Sequence, residues 1–169
     1  MSLEPQIDTE PDQAKAERRD VRILVVDDDV TQRALLSQAA KLCGHAVTGA
    51  ASCGEALEQL KAAKFDCVTL DLQLEDGCGL AVLEAMSKLR YAGTVIIISG
   101  MDGLYRTAAR RYARWAGVEL QSLPKPIDLS ALRVCFADLG KTAAGLPAVH
   151  SWGGVASDRV ADEHRDTTP

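Results

Sequence analysis

The stretch ILVVDDDV, residues 23–30, decides how this chain is read. Four apolar residues, two of them valine, run directly into three aspartates. A short continuous apolar run suits a strand buried on both faces, and such strands belong to parallel sheets covered by helices. Three adjacent carboxylates repel one another unless a cation compensates them. The stretch therefore raises the question of what the other strands deliver beside Asp27, Asp28 and Asp29.

The pattern alternates outward from there. VRILVV, residues 21–26, is the first strand, and residues 31–43 follow as a helix with Leu35, Ala39 and Leu42 on its inner face. Gly44 closes that helix as a C′ residue. A second strand is expected at 46–50. Ser52 and Glu55 then form a capping box that opens a helix with Leu57 and Leu60 inward. CVTL, residues 67–70, is the third strand, before a helix over 80–90. TVIII, residues 94–98, is the fourth and most apolar strand, followed by a helix over 102–116 with Leu104, Ala108 and Trp115 on its buried side. A weaker fifth strand covers 118–123. Asp128 caps a last helix carrying Leu132, Phe136 and Leu139. Five β-α units in sequence predict an α/β fold, a doubly wound five-stranded parallel sheet with helices on both faces. Residues 21–140 make one domain. Residues 1–20 read as a disordered polar arm, and residues 141–169 as a flexible tail with Trp152 and no output domain.

Composition narrows the classes. Of 169 residues, 47% are hydrophobic, enough for one core and marginal for two. No apolar run is long enough to cross a membrane, and no secretory leader is visible, so a cytoplasmic protein is expected. The five cysteines include no C-x-x-C pair and suit a reducing compartment. Cys78, in the loop after the third strand, reads as an ordinary small side chain before a redox group. Residues 1–20 hold three Lys/Arg against six Asp/Glu, which accounts for most of the net charge of -5. A near-neutral domain with 4% aromatics argues against nucleic acid as a partner. His45, His150 and His164 have no metal-ligand spacing.

Ligands of parallel α/β sheets bind beyond the carboxyl ends of the strands. The first strand ends in Asp27 and Asp28, the third in Asp71, the fourth in Ser99, and the fifth runs into Lys125 between two prolines. Singly, each is an ordinary loop or capping residue. Together they place carboxylates, a hydroxyl and an amine at one edge, a set suited to phosphoryl transfer. Mg²⁺ takes carboxylate oxygens, a carboxylate can attack phosphorus, and hydroxyl and ammonium groups can stabilise the phosphoryl oxygens.

VVDDD, TLDLQLEDGCGL, IIISG and LPKPI, in this order on matching strand ends, resemble the receiver domains of two-component response regulators. The resemblance implies flavodoxin-like strand order 2-1-3-4-5. It implies that Asp71 is the phospho-acceptor, that Asp27 and Asp28 help bind Mg²⁺ with Asp71 and the backbone carbonyl of Gln73, and that Ser99 and Lys125 serve the phosphoryl group. The donor would be a histidine kinase or histidine phosphotransfer protein. The phosphorylated form would act on an unidentified protein target or relay phosphate onward, as a stand-alone receiver or a piece of a longer chain. Asp29 is left to support the following helix N-terminus.

Two positions depart from the family pattern. Glu75 stands where a proline is usual, which predicts a looser, more negative loop beside the acceptor. Ser122 stands where the family carries the Tyr or Phe that turns inward on phosphorylation, so that part of the switch is missing or handled elsewhere. The fourth helix carries Arg106, Arg110 and Arg114 on one face, with Arg111 beside them. They are either a solvated face or a docking surface for an acidic partner or a second receiver, making a homodimer through this helix.

Two other functions compete. VVDDDVT also fits the D-x-D-x-T signature of haloacid-dehalogenase-like phosphatases, with Asp27 as nucleophile and Asp29 as general acid. That family needs a further acidic pair at a later strand end, which this chain lacks. A receiver-like binding module that is never phosphorylated is the other, and Ser122 keeps it open.

Overall fold

The computed structural model describes residues 21–100 and 103–143. The arm, most of the tail with Trp152, and the side chains of Cys78, Leu104 and Arg106 lie outside the described residues. The elements run β1 (Arg22–Val26), α1 (Val30–Leu42), β2 (Ala46–Ala50), α2 (Cys53–Ala62), β3 (Cys67–Leu70), β4 (Gln73–Leu74), β5 (Gly77–Cys78), α3 (Gly79–Lys88), β6 (Thr94–Ser99), α4 (Gly103–Ala116), β7 (Glu119–Pro124) and α5 (Leu129–Ala143).

The main sheet has the order β2-β1-β3-β6-β7, all parallel, which is the expected 2-1-3-4-5 order of its five strands. Alternation within each central strand supplies both faces. Leu24 and Val26 of β1, Val68 and Leu70 of β3, and Val95 and Ile97 of β6 pack toward α2, α3 and α4. Ile23, Val25, Cys67, Ile96 and Ile98 pack toward Leu36, Ala39 and Ala40 of α1 and Leu132 and Phe136 of α5. Apart from Thr69, buried within β3, the three central strands are thus apolar on both sides, and their ends are where polar groups are carried cheaply.

Local chemistry sets the boundaries. Asp29 is the N-cap of α1, accepting from the Thr31 and Gln32 N–H groups at 2.7 and 3.0 Å. The helix ends where Gly44 takes φ +85°, its N–H reaching the Lys41 carbonyl while His45 N–H reaches Ala40. Ser52 caps α2 through the Glu55 N–H, and the Glu55 carboxylate returns to the Ala51 N–H, one residue earlier than a standard capping box.

Three expectations need correction. In α1 the inward residues are Leu36, Ala39 and Ala40, while Leu35 is exposed and Leu42 is 66% exposed. In α4 the inward residues are Ala109 and Ala113, with Tyr112 half-buried; Ala108 is exposed and Trp115 is 77% exposed, its ring resting 5.6 Å from Tyr112. In both helices small alanines form the inward seam, so an apolar pattern led by large residues is read about one position out of phase. The third correction is the loop after β3, which folds into a two-stranded antiparallel hairpin, Gln73 opposite Cys78 and Leu74 opposite Gly77.

Candidate phosphoryl-transfer site

The register of β1 and β3 brings two distant acids together. Val26 lies beside Leu70, and the ladder continues as the Asp71 N–H donates to the Val26 carbonyl at 2.9 Å. On the other side, Asp27 N–H donates to Ala50 at 3.2 Å. Asp27 and Asp71 are therefore neighbours at the carboxyl edge, 1% and 4% exposed, with half-buried Asp28 beside them.

Each of the three carboxylates has one oxygen held by a backbone N–H. Asp27 Oδ1 accepts from Asp29 N–H at 3.0 Å, and Asp71 Oδ1 accepts from Gln73 N–H at 2.9 Å. These are the same local turn, an acid bonded to the amide two residues on. Asp28 Oδ2 accepts from Glu75 N–H at 3.0 Å, across the gap between the β1–α1 turn and the hairpin. The second oxygens of Asp27 and Asp71 face Lys125, whose Nζ lies 2.6 Å from Asp71 Oδ2 and 3.6 Å from Asp27 Oδ2.

Burial pushes the Asp27 carboxyl above its ordinary range; Lys125 and the Asp29 N–H pull it down by less. Burial disfavours the Lys125 charge, but the hydrogen bond and charge of Asp71, with Asp27, outweigh it, so the ammonium is held more firmly than usual. Asp29 is held below the usual carboxylate range by the Gln32 and Thr31 N–H groups, which fits a cap.

Ser99 ends β6, buried, beside Pro124 in register, and the Lys125 N–H reaches its carbonyl at 3.4 Å. The Lys125–Pro126 peptide is cis. Two further residues support this edge that the sequence did not single out. Arg33 reaches back from α1 to the carbonyls of Asp27 (2.6 Å) and Asp28 (3.2 Å), closing the acidic turn from below. Gly79 starts α3 so close to Asp71 that a Cβ there would stand 2.5 Å from the Asp71 carbonyl oxygen. The first carries a generic signal, a basic residue one turn into a helix. The second is visible in sequence only as one of several loop glycines.

A divalent cation fits the donor set. One oxygen from each of Asp27, Asp28 and Asp71 lies within 4.8 Å of the others. Asp27 Oδ2 is buried and accepts no hydrogen bond. Three hard oxygen ligands, one of them unsatisfied, suit Mg²⁺ better than a soft metal.

The sequence profile of the response regulator receiver domain matches residues 23–136. The chain belongs to the response regulator receiver family. It is 32% identical to the transcriptional regulatory protein ZraR of Salmonella typhimurium over 135 residues, 78% of this chain and 30% of that one. It is 37% identical to protein-glutamate methylesterase/protein-glutamine glutaminase 1 of Caulobacter vibrioides over 153 residues, 88% of this chain and 44% of that one. The receiver thus spans less than half the length of either relative. Among solved structures it resembles a CheY-like receiver domain from Methanospirillum hungatei (26% identity, TM-score 0.66, covering 75% of this chain and 98% of that one). It also resembles the response regulator TrrA of Thermotoga maritima, solved in complex with Mg²⁺–BeF (26% identity, TM-score 0.60, covering 70% and 98%). Receivers of this family work in phosphorylation-based signalling.

The remaining residues lie where the topology puts them. Arg110 and Arg114 are exposed on α4 beside exposed Arg111, and Ser122 is half-buried on β7 opposite Ile97. No helix among the described residues is long and apolar enough to cross a membrane. Burial pushes the Cys67 and Cys135 thiols up, away from the reactive thiolate.

Proposed function

We propose that this receiver accepts a phosphoryl group on Asp71 from a histidine kinase or histidine phosphotransfer protein. The observation that carries the reading is the Asp71 carboxylate itself: buried, held by Gln73 N–H and Lys125 Nζ, and adjacent to Asp27 and Asp28. A carboxylate oxygen of Asp71 bonds to phosphorus as the P–N bond of the donor phosphohistidine breaks, and the electron pair leaves with the imidazole nitrogen. The Lys125 ammonium and the Ser99 hydroxyl donate to the phosphoryl oxygens. Asp27, Asp28, Asp71 and the Gln73 carbonyl hold Mg²⁺. When bound, the ion supplies the positive charge that offsets repulsion between these acids and the incoming phosphoryl oxygens.

Phosphorylation then changes partner binding or passes the group onward, in the cytoplasm, as a domain over residues 21–140. The α4 face carrying Arg110 and Arg114, with Arg106 one turn earlier in the sequence and Ser122 on the neighbouring strand, meets an acidic partner or a second receiver. The likeness to TrrA, solved with Mg²⁺–BeF, supports the metal and the acceptor edge together. The phosphatase alternative gains nothing from the arrangement, because β6 and β7 lead into Ser99 and Lys125 rather than a second acidic pair.

Intact-mass measurement with Mg²⁺ and a small acyl phosphate tests the reading. The wild-type chain is expected to gain one phosphoryl increment, and Asp71→Asn none. Labelling that survives Asp71→Asn, or a turnover abolished by Asp27→Asn alone, would overturn it.

A further inference from the structure

The β4–β5 hairpin is fixed at two points, and both involve acids outside its own strands or at its tip. At the tip, the Asp76 carboxylate accepts from the first amides of α2, Cys53 N–H at 2.9 Å and Gly54 N–H at 3.1 Å. Immediately before it, Glu75 N–H donates to Asp28 Oδ2. The Glu75 side chain takes no part in this bond and is exposed. What matters at position 75 is the amide, which a proline does not have.

We propose that the Glu75 amide is a positioning group for Asp28 in the Mg²⁺ site, and that Asp76 holds the hairpin where this amide can act; the inference rests on the metal reading above. Asp27 and Asp71 are oriented by amides two residues away in their own turns. Among the described residues Asp28 has no such local partner: its carbonyl is taken by Arg33, and its carboxylate is oriented from the hairpin. With Oδ2 held by Glu75, the Asp28 carboxylate is oriented in advance and would lose less freedom on binding the ion. By linkage, a hairpin that favours Mg²⁺ is itself closed more firmly once the ion is bound, and the closure reaches the α2 N-terminus through Asp76.

Calorimetric Mg²⁺ titration of the wild type, Glu75→Ala, Glu75→Pro and Asp76→Ala tests this. Glu75→Ala keeps the amide and is expected to retain wild-type affinity. Glu75→Pro is expected to weaken Mg²⁺ by roughly tenfold, the range seen when an outer-shell partner is lost. Asp76→Ala, away from the ion, should weaken it in the same direction by less. Amide exchange gives a second readout on the unaltered chain: Mg²⁺ should slow exchange at Glu75, Cys53 and Gly54. Equal Mg²⁺ affinity in wild type and Glu75→Pro overturns the proposal. If Glu75→Pro does not fold, unchanged affinity in Asp76→Ala together with unchanged exchange at Glu75 overturns it. A wild-type chain that takes up no Mg²⁺ overturns the metal reading as well, which separates the two failures.

Discussion

At the carboxyl edge of the sheet, Asp27, Asp28 and Asp71 each have an oxygen held by a backbone amide, and Lys125 lies between two of them. On the outer face of α4, Arg110, Arg111 and Arg114 make no ion pair with any described residue, and Trp115 stands in solvent beside them. Both regions concentrate charge, three acids around one cation in the first and arginines alone in the second. The first does so where water is largely excluded, so each group must be given a partner or its desolvation goes uncompensated. The second keeps its water, costs the fold little, and leaves its donors available to another molecule. Clusters of Trp and Arg are also the residues that anchor protein interfaces. Charge is thus organised by burial: paired and hydrogen-bonded where water is excluded, solvated where it is not.

The largest effect should come from removing the cation that the acidic edge depends on. Lys125→Met is expected to slow labelling of Asp71 by about a hundredfold or more, the scale of losing one charged donor to a developing anion. The rate of the phosphoryl mass increment measures it. A loss below about tenfold would take Lys125 out of the phosphoryl site.

A smaller effect should come from Asp29, the one aspartate of the opening triplet outside the metal set. Its carboxyl is held below the ordinary range by the Gln32 and Thr31 amides. A depressed carboxylate stabilises the fold at pH values above its unfolded value, near 3.9, and that contribution is lost as pH falls through its lower folded value. Asp29→Ala is therefore expected to lower Tm at pH 6, with the gap to wild type closing as the pH drops below about 4. A gap that does not change with pH would mean that the carboxylate is not the cap.

The smallest effect on fold and chemistry should come from α4. Arg110→Glu with Arg114→Glu is expected to leave labelling unchanged and stability within about 0.5 kcal/mol. Affinity for a kinase, phosphotransfer protein or target should fall. An unchanged affinity would return the helix to a merely solvated face and remove the functional half of the comparison.

The three central strands were legible because each is a short, mostly apolar run whose two faces are both buried; the edge strands β2 and β7 are only partly buried and more polar. Helix starts were legible where a side chain competes for the first amides, as at Asp29, Ser52 and Asp128. The inward faces of α1 and α4 were not. Periodicity weighs Leu and Trp above Ala, whereas close packing on a sheet selected Ala39, Ala40, Ala109 and Ala113 and left Leu42 and Trp115 outside. The hairpin after β3 was illegible for a related reason: two-residue strands carry no alternation to read.

Sequence by itself determined which functional groups exist and at which strand ends they emerge, because strand ends are fixed by where apolar runs stop. It also marked Glu75 as a departure and predicted a looser loop there. Tertiary structure decided what that loop is tied to. The amide that Glu75 supplies bonds Asp28, which belongs to a different turn, and Asp76 fastens the same hairpin to α2. Those partners are distant in sequence, and only the register of β1 with β3 and the packing of α2 bring them within hydrogen-bond reach.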